Sequence, residues 1–150
     1  MRSFTLRPAT ESDQPIIVFI VNEGRINPRG LGWPNFIVAE SEGKVVGVGQ
    51  VKQHGDGSRE LASIAVRPPF KRQGIGNAIC RTLIERESST LYLMCRGQLE
   101  SYYTRFGFRK IGPDEMPPYF RRIHRLVSTA NVVAFGNIKF AIMKRERPMP

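Results

Sequence analysis

Two glycines one residue apart, Gly74 and Gly76, stand between the basic pair Lys71-Arg72 and an apolar run in the stretch FKRQGIGNAI. Glycine lets a backbone bend tightly and bring its N–H groups close to a ligand. A helix N-terminus adds roughly half a positive charge, and the two side chains add whole ones. Together these features make a cradle for a pyrophosphate. The common nucleotide patterns fail on residues. The third glycine of G-x-G-x-x-G is replaced by Ile79, and no Gly-Lys-Ser/Thr closes a P-loop. Tight strand–helix packing is the competing reading of the same two glycines. Metal chemistry is not expected. Cys80 and Cys95 lack C-x-x-C spacing, and His54 and His124 are isolated, with no second ligand at metal spacing.

The elements that must position this turn follow from pattern. FTLRPAT predicts a strand ended by Pro8, and Thr10 then caps an amphipathic helix running to about Gly24. Its buried face is expected to be Ile16, Ile17, Phe19 and Ile20. RINPRGLGWPN is loop, rich in Gly, Pro and Asn. FIVAE, KVVGVGQVK and ELASIAV predict three strands, joined by turns too short for anything but an antiparallel meander. After the glycine turn, Ile75, Ile79, Leu83 and Ile84 repeat at helical spacing to about Arg86. LYLMC predicts a buried strand, LESYYTRF a short helix closed by Gly107, and FRKI another strand. PPYFRRIHRLV predicts a helix starting after two prolines, and IKFAIMK a last strand. This mixed order predicts an α+β domain around one central sheet, residues 1–150 forming a single domain.

The chain carries 23 Lys+Arg against 13 Asp+Glu, a net charge of +10, and ten of the basic residues against three acidic ones lie from Arg105 onward. Such a field favours anionic partners, whether nucleic acid, anionic lipid or a phosphorylated small molecule. A merely solvated basic surface is the competing reading. The longest purely apolar run, 16–21, is too short to span a bilayer. No secretory signal is visible at the N-terminus, so no membrane partner and a reduced, cytoplasmic setting are expected.

The stretch Val66-x-Pro68-x-x-Lys71-x-x-Gly74-Ile75-Gly76 resembles the acetyl-CoA motif of the GCN5-related N-acetyltransferase (GNAT) superfamily. That motif is usually written as Arg or Gln, two residues, Gly, one residue, then Gly or Ala. Downstream, Tyr102-Tyr103-Thr104-Arg105-Phe106-Gly107-Phe108 looks like the family's second landmark, an aromatic-Tyr pair four residues before Gly-Phe. The order of elements matches over nearly the whole chain. The resemblance implies a GNAT-like fold with a mostly antiparallel twisted sheet flanked by helices. Two departures stand out. Lys71 replaces the usual Arg or Gln, and Arg96 stands where many members carry an Asn near the pantetheine arm.

The resemblance implies transfer of an acetyl group from acetyl-CoA to an amine. The backbone of Ile64, Ala65 and Val66 would pair with the pantetheine arm as an added strand. The turn formed by Lys71, Arg72, Gln73, Gly74, Ile75, Gly76 and Asn77 would take the pyrophosphate, and an N–H near Val66 would face the thioester oxygen. Arg96 would reach a phosphate or an acidic acceptor. Amines are mostly protonated at pH 7, so a base is needed. Glu60 lies eleven residues before Lys71, the offset of the catalytic glutamate in the histone-modifying branch. It shares a strand face with Ala62, Ile64 and Val66, provided no bulge intervenes. A solvated charge beside Arg59 is the alternative. Tyr103 would act as the acid, because a phenol near ~10 can protonate a departing thiolate near ~8.5 when held close to it. Tyr102 suits the core better.

The acceptor is expected to be a primary amine of a small molecule, an amino acid or a protein. EGRINPRGLGW and PDEMPPYFRRIHRL would frame its site. Trp33, Tyr119 and Phe120 could wall it, and Arg25, Arg29, Arg121 or Arg122 could pair with a carboxylate. Two other classes compete: a non-catalytic acyl-CoA binding or sensing module, and nucleic-acid binding through the basic last third. The latter is disfavoured, since FRRIHRL belongs to no groove-reading motif. A homodimer is left open.

Overall fold

The computed structural model describes residues 3–130 and 139–147. Among the described residues, seven strands and four α-helices follow one another: β1 Thr5–Pro8, α1 Gln14–Glu23, β2 Phe36–Ser41, β3 Lys44–Gln53, β4 Arg59–Val66, α2 Ile75–Arg86, β5 Leu91–Arg96, α3 Glu100–Thr104, β6 Arg109–Lys110, α4 Pro118–Ala130 and β7 Phe140–Arg145. The strands follow one another in the order β1-β2-β3-β4-β5-β7-β6. β1–β2, β2–β3, β5–β7 and β6–β7 pair antiparallel, while β4–β5 is parallel. The expected mixed α/β architecture is therefore present, each element falling within a few residues of its place in the sequence pattern. Ile138, the start of the IKFAIMK strand, lies outside the described residues.

The chain divides into two compact units. One takes in the chain up to Lys52 together with Leu61–Arg86, and the other Gln53–Glu60 together with the chain from Glu87 onward. In the first, Ile17, Ile20 and Val21 of α1 pack on Phe36, Val38 and Val48. Phe19 departs from expectation. It is 49% exposed, with the Arg67 guanidinium 5.0 Å above its ring. Helical geometry gives the core to 17, 20 and 21, and residue 19 falls off that stripe. The helix α2 lies close on β3 because Gly47 and Gly49 carry no side chain there. A Cβ at Gly49 would sit 2.5 Å from Ile79 Cγ2 and 2.8 Å from Ile64 Cδ1. That close approach fixes the start of α2, where the glycine turn lies.

The second unit is built on the β5–β7 ladder, with Cys95 opposite Ala141 and Leu91 opposite Arg145. Ile111, Met116, Phe120 and Ile142 form its buried cluster, flanked by Tyr92, Met94 and Tyr119. Phe120 is fully buried. It is a core residue of α4 rather than the wall of an acceptor pocket that the sequence suggested. Arg121 is also committed to local structure, donating to the carbonyls of Pro113 and Met116.

Candidate functional site

In the first unit, β4 runs out at Val66, and a tight turn then carries the chain into α2. Arg67 N–H donates to the Val46 carbonyl at 2.8 Å, and Phe70 N–H returns to the Arg67 carbonyl at 2.9 Å. Two residues of the turn are left-handed, Arg72 at φ 64 and Gly74 at φ 85. For Gly74 this costs little. For a residue with a Cβ such as Arg72 it costs on the order of 1–2 kcal/mol, a strain that concentrates at functional sites. A Cβ added at Gly74 would meet no atom within 4 Å, so the space beside this backbone is open. Lys71 and Arg72 are exposed, whereas Ile75 is buried and anchors the helix start. Gln73 leans back, its Nε2 donating to the Pro69 carbonyl at 3.4 Å, and its buried Oε1 has no hydrogen-bond partner among the described residues. The opening turn of any α-helix leaves N–H groups without intrahelical acceptors. An open left-handed turn, two cations and those N–H groups together suit an anion of phosphate size.

Within β4, Ala65 is buried while Ile64 and Val66 are half-buried. Ser63 has φ 59 in the middle of this strand. Its buried hydroxyl stands 2.8 Å from Nε2 of the fully buried Gln50, which also donates to the Gly30 carbonyl. Burial alternates residue by residue from Leu61 to Val66, straight through this left-handed position. Glu60 and Leu61 are both buried, so Glu60 is more enclosed than the half-buried Ala62, Ile64 and Val66 with which strand parity groups it. An ordinary Ser gives no local sign of a left-handed backbone.

The second unit holds Glu60, which is 7% exposed and lies beside Tyr92 in the parallel β4–β5 register. Its neighbour Arg59 turns away to form a forked ion pair with Glu87. Glu60 instead meets His54, whose Nε2 lies 2.8 Å from Oε1. The His54 ring stacks on Tyr119, centroids 3.5 Å apart and planes 14° apart, and Phe120 meets it edge-on at 5.7 Å. The hairpin loop that presents His54 is closed by His54 N–H to the Ser58 carbonyl and Gly57 N–H to the His54 carbonyl, both at 2.9 Å. Asp56 at its tip accepts from the Ser58 hydroxyl at 2.6 Å and the Ser58 N–H at 2.9 Å, a local Asx turn. Its other oxygen accepts the Tyr119 N–H at 2.9 Å. The Ser58 hydroxyl foremost, then the Tyr119 and Ser58 N–H groups, hold Asp56 down to about 2, so it is charged at any working pH.

His54 is therefore not isolated. It is the centre of a cluster of Glu60, Asp56 and Tyr119 that sequence inspection missed. The HGDGS turn signal was visible, but Tyr119 stands 63 positions from Asp56. No group of residues suited to a metal ion occurs among the described residues.

Tyr103 lies on α3, half-buried, its ring edge-on to Tyr102 at 5.0 Å and to Phe108 at 6.2 Å. Tyr102 carries Arg105 over its face at 4.9 Å. Arg96 ends β5, exposed and in no ion pair among the described residues. Cys95 is buried and its thiol is pushed up to about 11 by desolvation and then by Glu100, which makes it a poor nucleophile. Trp33 packs against the core of the first unit, its backbone N–H donating to Gln14 Oε1 at 2.8 Å. Arg25, Arg29 and Arg122 are exposed.

A family model described as an acetyltransferase (GNAT) domain matches residues 32–110, more than half of the chain. Among solved structures, N-acetylglutamate synthase from Neisseria gonorrhoeae, complexed with coenzyme A and N-acetyl-glutamate, is similar with a TM-score of 0.76 at 21% identity. That likeness covers 99% of this chain but only 36% of the synthase chain. Rv2747 from Mycobacterium tuberculosis, in complex with CoA, has a TM-score of 0.71 at 24% identity over 95% of this chain and 98% of its own. A ribosomal-protein alanine N-acetyltransferase from Escherichia coli has a TM-score of 0.68 at 22% identity over 99% and 96%. At such identities these likenesses show the fold. Comparison with curated protein sequences finds no match.

Proposed function

This chain belongs to the GNAT acetyltransferase family, and we propose that it transfers an acetyl group from acetyl-CoA to a primary amine of a small molecule, amino acid or protein by direct attack. The observation that carries the proposal is the turn from Arg67 into α2, with left-handed Arg72 and Gly74 and open space beside the backbone. A pyrophosphate fits it. The backbone of residues 72–77 would donate to it, with Lys71 and Arg72 adding charge, and Ile64, Ala65 and Val66 would align the pantetheine arm. Acetyl-CoA, when bound, supplies an activated acyl carbon and a thiolate leaving group.

The remaining chemistry falls to the chain. Glu60 takes a proton from the acceptor ammonium, so that a neutral nitrogen attacks. The N–H at or near Val66 faces the oxyanion, and Tyr103 returns a proton to the departing sulfur. Arg96, exposed at the end of β5, is free to meet a phosphate or an acidic acceptor. We read residues 1–150 as one domain, since the family match runs across both units. A cytoplasmic setting belongs to the same reading. No described helix is long and apolar enough to cross a membrane.

The test is thiol release from acetyl-CoA with a panel of amines and amino-terminal peptides, read together with product mass. One amine giving thiol and a product heavier by one acetyl group supports the proposal. CoA binding without thiol release from any amine would instead make the chain an acyl-CoA binding module. A sizing measurement on the same sample decides whether it is a homodimer.

A further inference from the structure

We propose that His54 is a positioning residue for Glu60, donating its Nε2 hydrogen to one carboxylate oxygen so that the other is presented to the acceptor ammonium. The inference rests on the reading of Glu60 as the base. A carboxylate that is 7% exposed has lost most of its water, and a buried polar group needs a hydrogen-bond partner in its place. Among the described residues His54 is the hydrogen-bond partner of Glu60, at 2.8 Å on Oε1. An ionised carboxylate has no hydrogen to share, so Nε2 must carry it. With Oε1 occupied, the lone pairs of Oε2 remain. In the step itself an N–H bond of the ammonium breaks, its electron pair stays on nitrogen, and an O–H bond forms at Oε2. The His54 proton does not move.

The imidazole is held for this role from three directions. Tyr119 covers one face at 3.5 Å, Phe120 meets it edge-on at 5.7 Å, and the His54 backbone is closed into its hairpin by Ser58 and Gly57. Tyr119 is in turn fixed by Asp56, which accepts its N–H at 2.9 Å. The titratable groups around the pair are Asp56 on the turn, Tyr119 on α4 and Tyr92 beside Glu60 on β5. Asp56 is already charged throughout the working range, so its own protonation does not enter the pH profile.

The experiment compares amine kcat/KM against pH for the wild type, His54→Phe, His54→Gln, Glu60→Gln and the double variant His54→Phe with Glu60→Gln. Phenylalanine keeps an aromatic ring on Tyr119 but has no donor. His54→Phe is expected to lower kcat/KM for the amine about tenfold and to move the acidic limb of the profile to higher pH. The sign follows because a buried carboxylate without its donor holds a proton more tightly. The KM for acetyl-CoA should not change. His54→Gln, which keeps an N–H donor, should bring the limb back toward the wild-type position, and His54→Phe should add nothing in the Glu60→Gln background. If Glu60→Gln is impaired while His54→Phe overlays the wild type, the role of His54 is overturned and the base survives. If Glu60→Gln itself overlays the wild type, the base reading is wrong and this inference goes with it. Should His54→Phe fail to fold, His54→Asn, whose amide is too short to reach Oε1, carries the same test, and an unmoved limb overturns the proposal.

Discussion

The imidazole of His54 and the phenol of Tyr119 lie face to face at 3.5 Å, though 65 positions separate them in the chain (119 − 54). Asp56 ties the two segments together. Its carboxylate closes the hairpin on Ser58 and accepts the N–H of Tyr119 in the first turn of α4. One side chain thus acts as turn former and helix cap for two segments distant in sequence. Removing a cap of this kind costs about 1 kcal/mol. Asp56→Ala is expected to lower unfolding stability by that amount in urea titration, and to lower amine kcat/KM because the ring under His54 loosens. Unchanged stability would show that the α4 terminus is satisfied by water.

The glycine turn makes a second prediction. Gly74 has φ 85, where a β-branched residue is strained whatever the space around it, and its Cβ would project into the opening assigned to the pyrophosphate. In the wild type, CoA at a hundredfold excess over Kd should add about 2.7 kcal/mol, a rise in Tm of roughly 5–10 °C for a chain of this size. Gly74→Val should abolish that rise, whereas Gly74→Asn, which tolerates the left-handed region, should keep part of it. A Gly74→Val variant that still shows the full rise would move the anion site elsewhere.

Acid stability offers a test independent of the reaction. Arg7 donates to both oxygens of Asp13, at 2.8 and 3.1 Å, and to Glu40 at 2.7 Å. The Arg7 hydrogen bonds, helped by the Thr10 N–H and opposed by burial, hold Asp13 down to about 2. Because the folded value lies below the unfolded ~3.9, the stabilisation is fully present above about pH 4 and is lost as pH falls toward 2. Arg7 is about a third exposed, so screening trims the effect to on the order of 1–2 kcal/mol. Asp13→Asn should destabilise at pH 7 and flatten the stability curve between pH 4 and 2, measured by urea unfolding at each pH. A variant curve parallel to the wild type would remove the pair from the account.

Legibility followed range along the chain. The helix Ile75–Arg86, the strand Leu91–Arg96 and the glycine turn were all readable, because apolar spacing and glycine act within a few residues. Ser63 was not, since its left-handed backbone is sustained by Gln50, thirteen positions away on the neighbouring strand. Phe19 lies outside its expected place because a hydrophobic residue on a helix does not say which side of the apolar stripe it borders. Metal-ligand spacing in the sequence carries no sign of the surroundings of His54. Its partners are a carboxylate six positions on and an aromatic ring from a later helix.

Tyr103 carries the last prediction. Its ring lies edge-on to Tyr102 and Phe108, contacts that a phenylalanine ring would reproduce, so Tyr103→Phe removes a proton donor and little contact area. The proposed role is made only as the sulfur departs. Its loss should therefore appear in kcat, about 10²-fold lower, with acetyl-CoA affinity and Tm near wild-type values. Tyr102→Phe is the control, because that ring packs on Phe106 and under Arg105 and is assigned to structure. Steady-state kinetics of both variants, with thermal unfolding on the same samples, make the comparison. Full kcat in Tyr103→Phe would mean either that the thiolate leaves without an acid or that Tyr102 supplies the proton, and a loss confined to Tyr102→Phe would select the second. A fall in Tm matching the fall in kcat would assign Tyr103 to packing, and the acid of the reaction would have to be sought among the other groups of its unit.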